Sequence, residues 1–483
     1  MVNSNTVQVL PLDTDATPRE LYERLASRHD TALLESARLM PGLGAWSYVT
    51  GPALGMLETQ GGRTTLRRCD GVGGGATSGT SAAILREWDD PFLALEQVLA
   101  AMRAPAAAGL PAFTGGLAGW LGYDLVRSIE RLPARVPADP GLPEMRLLVA
   151  DHVFAHEHGT RRWWLCTREL PWGEAASRRG VWAHSRARAA GAAAPQQKAG
   201  FRAGELVSRT PPARYLQDVA RVVEYIHAGD VFQVNLSHRL EAAFAGDPWA
   251  LYCALAEANP APFAAYIESE AGTLASFSPE RFLRLEGSRV SARPIKGTRA
   301  RATDPQEDAR ARDLLAASEK DRAENLMIVD LMRNDLGRVA QPGSVRVDEL
   351  WKIEAHPSVW QMVSTLGAEL REGVDAAGLL RACWPPGSMT GAPKVRAMQI
   401  IEELEPVRRG PYAGSIGWFD AAGGMDLSVV IRTVLLAGDR LMLQLGGGVV
   451  ADSRPEEELA ESLDKGRFLM RALGSTGSMV RNK

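Results

Sequence analysis

Cysteine is scarce. There are four in 483 residues, Cys69, Cys166, Cys253 and Cys383, widely separated and with no CxxC pair. That spacing argues against a disulfide framework and a thiolate zinc site, and buried thiols are the expectation. An excess of one charge is lacking too, since 55 Lys and Arg stand against 58 Asp and Glu, a formal net charge of −3. Such a balance gives no general attraction to nucleic acid or to an anionic membrane surface. No apolar run reaches the roughly 18 residues of a spanning helix. The opening MVNSNTVQVLPLDTDATPRE has no basic stretch followed by an apolar core. A cytoplasmic protein, engaging neither nucleic acid nor membrane, is therefore expected. No repeat of roughly 20 to 50 residues is visible, which excludes a solenoid or propeller.

Hydrophobic residues at 45% and charged residues at 23% are ordinary globular usage, enough for a large core. Residues 174–205 are rich in Ala, Arg and Gly, with neither strand alternation nor a sustained apolar stripe. They read as a linker or mobile excursion between an N-terminal region, 1–173, and a C-terminal region, 206–475. In the latter, helical spacing fits Pro212–Gly229, Pro305–Arg333, Ala392–Leu404 and Pro455–Leu473. Strand-like segments are Val231–Ser237, Gly272–Leu285, Ile416–Phe419, Leu427–Leu436 and Leu441–Val450. Their irregular alternation predicts a sheet-rich α+β fold, not a doubly wound one.

Several groups could carry chemistry. Asp321 and Glu324 are three apart on a predicted helix, and Glu458, Glu461 and Lys465 share a stripe of another. A hard, oxygen-preferring Mg²⁺ could take one or two such carboxylates and leave positions for water and an anion. Taken alone, a charged helix face is more often simply solvated. Gly446 to Gly448 lie between a strand and a helix N-terminus, where backbone N–H groups can approach an anion, or where the strand merely bends. PPGSMTGAPK fails as a phosphate-binding loop, because Pro393 precedes Lys394 and Val395 follows it. Lys296 in RPIKGTRAR could clamp an anion, act as a nucleophile, or simply be exposed. Arg432, alone among β-branched residues in SVVIRTVLL, needs a partner or an anionic ligand if it is buried.

Taken in order, SFSPERFL, RPIKGT, AENLMIVDLMRNDLGRV, GSMTGAPK, GPYAGSIGWF, DLSVVIRT, GGGVVADS and EEELAESLDKGR resemble the chorismate-utilising enzymes. Within that family they are closest in kind to the large subunits of anthranilate synthase and aminodeoxychorismate synthase. FTGGLAGWLGYDLVR, near the N-terminus, is similar as well. The resemblance implies a large two-sheet β-sandwich flanked by helices, with the cleft in the C-terminal part. It implies Mg²⁺ on Glu324 and Glu461, with Asp321 and Glu458 nearby. Tyr412, Arg432, Gly446, Gly448 and Lys465, the backbone of Gly297 and the hydroxyl of Thr298 would hold the carboxylates of chorismate. Glu280 in FSPER would be the acid that protonates the departing C4 hydroxyl.

Relatives that add water carry a lysine base where this chain has Gln233, and a glutamine cannot deprotonate water efficiently. Anthranilate synthases carry PIAGT where this chain has PIKGT, so the resemblance makes Lys296 the nucleophile of a C4 amination. The expected product is 4-amino-4-deoxychorismate, on the route to p-aminobenzoate and folate. The chain departs from many relatives at Gln361, where they carry a histidine; a glutamine can hydrogen-bond but cannot shuttle protons. No cysteine lies in a GxCxG glutaminase setting, so a separate glutamine amidotransferase subunit is implied as the ammonia source. LLESARL and NPAPF resemble the two segments of a tryptophan pocket, which would involve Glu35, Ser36, Asn259, Pro260, Pro262 and Phe263. Two competing readings are an anthranilate synthase component, and a non-catalytic subunit that binds chorismate or tryptophan for regulation.

Overall fold

The alternation in Val231–Ser237 belongs to a longer strand, Gln233–Gly246, which pairs antiparallel with Arg440–Val449. The computed structural model describes residues 7–25, 31–40, 42–69, 83–106, 109–191, 200–356 and 359–474. Among these, strands assemble into two antiparallel sheets of 13 and 12 strands. In the first sheet, the N-terminal strand Ala32–Glu35 pairs with Phe263–Ser269, and the order continues through Gly272–Ser278, Thr433–Ala437 and Arg440–Val449 to Gln233–Gly246. In the second, the N-terminal strand Gly116–Leu121 pairs with Ser415–Asp420, and the order continues through Met425–Val429, Arg281–Glu286 and Arg289–Arg293 to Val359–Glu369. Residues from both sides of 174–205 thus build both sheets.

The inner faces meet in an apolar layer where Ala32, Ile267 and Leu274 of one sheet pack with Trp120, Leu148 and Ile416 of the other. Helices cover the outer faces. Pro18–Leu25 and Pro248–Ala258 pack on the first sheet, and Pro91–Met102, Glu319–Gly337 and Ala376–Cys383 on the second. The architecture is the expected α+β sandwich, in which each large apolar side chain removed from water contributes about 1.5–3 kcal/mol.

Four segments differ from the sequence expectation. Residues 174–205 are not simply a linker: they hold the helix Ala175–Ala190 and the strand Phe201–Ala203, while 192–199 lie outside the described residues. The inward stripe of this helix is mixed, Arg178 and Ser185 alternating with Trp182 and Ala189, which is why no apolar period marked it. Arg178 and Trp182 donate to Asp151, and Ser185 bonds His152, whose other ring nitrogen meets Asp151 at 2.8 Å. Pro305–Arg333 is two helices, Pro305–Ala317 and Glu319–Gly337, separated at Ser318, whose side chain caps the second by accepting from the Asp321 N–H. Gly272–Leu285 and Leu427–Leu436 each divide into two strands in different sheets.

Candidate active site

The two divided segments place the first pair of functional groups. Both carry the chain from one sheet to the other, and they do so side by side: Val429 N–H donates to Glu280 O at 3.0 Å and Phe277 N–H to Arg432 O at 3.1 Å. Glu280 sits at one crossing, in the break between Gly272–Ser278 and Arg281–Glu286, and is 5% exposed. Burial pushes its carboxyl up to about 7, against the opposing pull of a Ser388 hydrogen bond, the Lys296 charge, the Ile295 N–H and Arg432. It is therefore poised to hold a proton near neutrality. Arg432 sits at the other crossing with φ +52°, a left-handed conformation uncommon for a side-chain-bearing residue. Burial lowers it to about 10, with Glu280 pulling the other way, which is how a guanidinium lacking a full counter-charge behaves.

Along the strand Arg440–Val449 the glycine run forms a bare surface. A Cβ at Gly448 would lie 2.4 Å from both Lys296 Nζ and Gln233 Nε2, and one at Gly447 would lie 3.2 Å from Glu458 Oε2 and 3.5 Å from Lys465 Nζ. At Gly446 it would meet the backbone oxygen of Leu236 at 2.6 Å. Glycine is required here because other elements bring their polar ends up to the backbone. Gln233 is fully buried, and neither end of its amide has a partner. Lys465 Nζ donates to Gly446 O at 3.1 Å and pairs with Glu461 at 2.9 Å. Gly297, at φ +90°, backs onto Asp321, whose Cβ lies 3.0 Å from where a Gly297 Cβ would stand.

The acidic helix faces converge on the same place. Glu324 lies 3.9 Å from both Lys296 and Lys320. Burial raises it, the two lysines lower it, and Glu461 and Asp321 raise it further. Glu461, at the exposed rim, is lowered chiefly by Lys465. Glu458 is raised by burial; its Oε1 accepts from Ser453, and its Oε2 is buried without a partner. Among the described residues, no group of three or more His, Cys, Asp and Glu side chains stands ready to hold a metal, and lysines occupy Glu324 and Glu461 instead. The donor chemistry nevertheless fits Mg²⁺: oxygen ligands only, one carboxylate oxygen left unsatisfied, and acids held together against their mutual repulsion.

Tyr412 is buried, and burial pushes its hydroxyl up to about 12, so it remains a neutral donor. Thr298 is exposed and lies in register with Gln361, whose Oε1 is buried and unpaired. The LLESARL and NPAPF segments also meet: Ser36 Oγ donates to Pro262 O at 3.2 Å, and Glu35 lies in register with Ala264, next to Phe263. The Glu35 carboxylate is held by Arg19 at 3.0 Å and by the Tyr252 hydroxyl at 2.7 Å. Asn259 is the C-cap residue of the helix Pro248–Ala258, and Pro260 follows it. Sequence reasoning gave no role to Ser388 or Lys320, and took Gly447 only as part of the glycine run. Ser388 lies within GSMTGAPK, so only Lys320 had no motif to mark it.

Residues 57–471 match the sequence profile of chorismate binding enzymes, and the chain belongs to that family. It is a chorismate-utilising enzyme. An aminodeoxychorismate synthase component 1 from Escherichia coli (strain K12) is 43% identical over 387 residues, covering 80% of this chain and 83% of its own length. An anthranilate synthase component 1 from Thermus thermophilus is also 43% identical, over 389 residues, with the same 80% and 83% covered. The crystal structure of anthranilate synthase component I from Streptococcus pneumoniae TIGR4 superposes with a TM-score of 0.75 at 26% identity, covering 95% of this chain and 98% of that one. Overall identity thus does not separate the two activities, and the choice falls to particular residues. Among the described residues no helix is long and apolar enough to cross a membrane.

Proposed function

We propose that this enzyme aminates chorismate at C4 to give 4-amino-4-deoxychorismate, with Mg²⁺ and with ammonia supplied by a glutaminase subunit. The observation that carries the reading is the place of Lys296, whose Nζ stands over Gly448, beside the Gln233 amide and 3.9 Å from Glu324. A nucleophile is wanted at that point, and the anthranilate synthases it resembles have alanine there.

In this reading Arg432, Lys465, the Tyr412 hydroxyl and the N–H groups of the glycine strand bind the two substrate carboxylates. The Lys296 amine attacks C2; both ring double bonds shift, and the C4 hydroxyl leaves as water with the proton held by Glu280. Ammonia then attacks C4, both double bonds shift back, the Lys296 amine is expelled, and the surplus proton of the incoming ammonia returns to Glu280. Glu324 and Glu461, with Asp321 and Glu458 behind them, would hold Mg²⁺, which when bound neutralises a substrate carboxylate. Gln233 replaces the base that would activate water, and Gln361 cannot relay protons, which suits release of a product that keeps its enolpyruvyl group.

The relatives' names, as component 1, speak for a second component, consistent with an external ammonia source. The contact between Ser36 and Pro262 supports a tryptophan site, which calorimetric titration with tryptophan would test. Incubation with chorismate, MgCl₂ and ammonium, followed by chromatography with mass detection, tests the main reading. Aminodeoxychorismate from the wild type and none from Lys296→Ala is the expected result. Anthranilate as the main product would overturn it in favour of the other activity.

A further inference from the structure

Beside the glycine strand lies a buried ion pair to which the proposed function gives no role. Glu405, at the C-cap of the helix Lys394–Leu404, and Arg409 are 3% and 2% exposed and form a two-point pair, Nε to Oε2 at 2.9 Å and Nη2 to Oε1 at 2.6 Å. Their remaining valences are spent on the walls of the site. Arg409 Nη1 donates to Met389 O at 2.7 Å and Nη2 to Asn235 O at 2.6 Å. Glu405 Oε1 accepts from both the N–H and the hydroxyl of Ser237, at 2.8 and 2.7 Å. The guanidinium also stands 5.7 Å from the Tyr412 ring centre, and Arg409 O accepts from Tyr412 N–H at 3.2 Å.

The anchored points are neighbours of the chemistry. Asn235 and Ser237 pair in register with Gly448 and Gly446. Met389 closes the short turn Gly387–Met389, which carries Ser388, whose hydroxyl faces Glu280 and pulls its carboxyl down. The other side of that loop is tied independently, since Lys394 Nζ donates to the backbone oxygens of Cys383 and Pro385, both at 3.0 Å. A buried pair of charges costs desolvation that hydrophobic packing would avoid, so stability alone accounts poorly for this one.

We infer that Glu405 and Arg409 are positioning residues of the amination proposed above, one rigid bracket fixing the Ser388 turn, Tyr412 and the strand backing the glycine run relative to one another. Arginine is needed because its fork reaches Glu405 and two carbonyls at once, which an ammonium cannot do with the same geometry.

The test uses the full chain carrying Arg409→Lys, Glu405→Gln or Ser388→Ala, assayed with chorismate, MgCl₂ and ammonium across pH, with a thermal melt of each. Small displacements of catalytic groups cost up to about a hundredfold in rate. The lysine and glutamine variants should lose kcat on that scale. They should also move the alkaline limb of the pH profile upward, as Ser388→Ala does, because Glu280 loses its hydroxyl donor. The groups facing Glu280 are Ser388, Lys296, Arg432 and the Ile295 N–H, and of these only Ser388 rides on the bracket. Combining Arg409→Lys with Ser388→Ala should shift the limb no further than either alone. Folded variants with a wild-type limb and kcat, or variants that only melt earlier, would overturn the inference. If the wild type aminates nothing, the function reading falls, and the positioning claim is then decided by the protonated-carboxyl infrared band lost in Glu280→Gln. Titration of that band should shift upward in Arg409→Lys, and an unchanged titration would refute the claim.

Discussion

Glu280→Gln should give an enzyme that is less active and, above neutral pH, more stable. The folded protein holds this carboxyl at about 7 against an ordinary 4.5, chiefly because burial disfavours the anion. Between these values the folded state binds the proton and the unfolded chain releases it, so stability falls as pH rises from about 4.5 to about 7 and levels off above. A difference of about 2.5 units at about 1.4 kcal/mol each is a penalty on the order of 3 kcal/mol, present in full only at alkaline pH. Glutamine carries no charge at any pH and can still accept from Ser388, so the penalty disappears. With an unfolding entropy of about 2.1 cal/mol/K per residue over 483 residues, the gain is about 3 °C in melting temperature. Scanning calorimetry at pH 8.5 should show the variant melting higher by that amount, and at pH 4.5 the gain should vanish. Loss of the proton donor should lower kcat by about 10² to 10⁴. An offset that is the same at both pH values, or a variant less stable at pH 8.5, would refute the assignment of Glu280 as an acid kept neutral by burial.

Gly448→Ala places a methyl where Lys296 and Gln233 end in flexible side chains, so it should abolish amination while leaving the melting temperature nearly unchanged. Gly446→Ala meets a backbone oxygen instead and should destabilise by about 1–3 kcal/mol in denaturant unfolding. Mg²⁺ should raise the melting temperature of the wild type, and Glu324→Gln should remove that response along with activity. Asp151→Asn strips the counter-charge from buried Arg178 and should cost about 3–5 kcal/mol, with early proteolysis in the helix Ala175–Ala190 as its local sign.

Most of the candidate site was legible in local pattern because its residues lie in short motifs whose chemistry is unusual for their setting. Arg432 among β-branched residues, glycines in a strand and acids at helical spacing all stand out one segment at a time. The elements that escaped depend on distant partners. Whether Gly272–Leu285 was one strand or two turned on pairing with Thr433–Ala437 on one side and Met425–Val429 on the other, about 150 residues away in sequence. The helix Ala175–Ala190 was missed because most of its buried stripe, Arg178, Trp182 and Ser185, answers Asp151 and His152, leaving Ala189 alone to meet an apolar surface. Glu405 and Arg409 lie in no segment that the sequence marked, and both are buried by the fold.

The paired crossings at Glu280 and Arg432 have a mechanical consequence. The acid and the cation ride on two separate covalent rivets driven through the same two plates, and backbone hydrogen bonds lock the rivets to each other. Neither group can drift toward or away from the other without sliding one sheet over the other, a motion that the apolar layer of Trp120, Ile267 and Ile416 resists. The spacing between the Glu280 carboxyl and the Arg432 guanidinium is therefore a property of the whole sandwich, and freedom to adapt is left to the helices that bring Glu324 and Lys465 to it and to the end strand Ile295–Ala300 that carries Lys296.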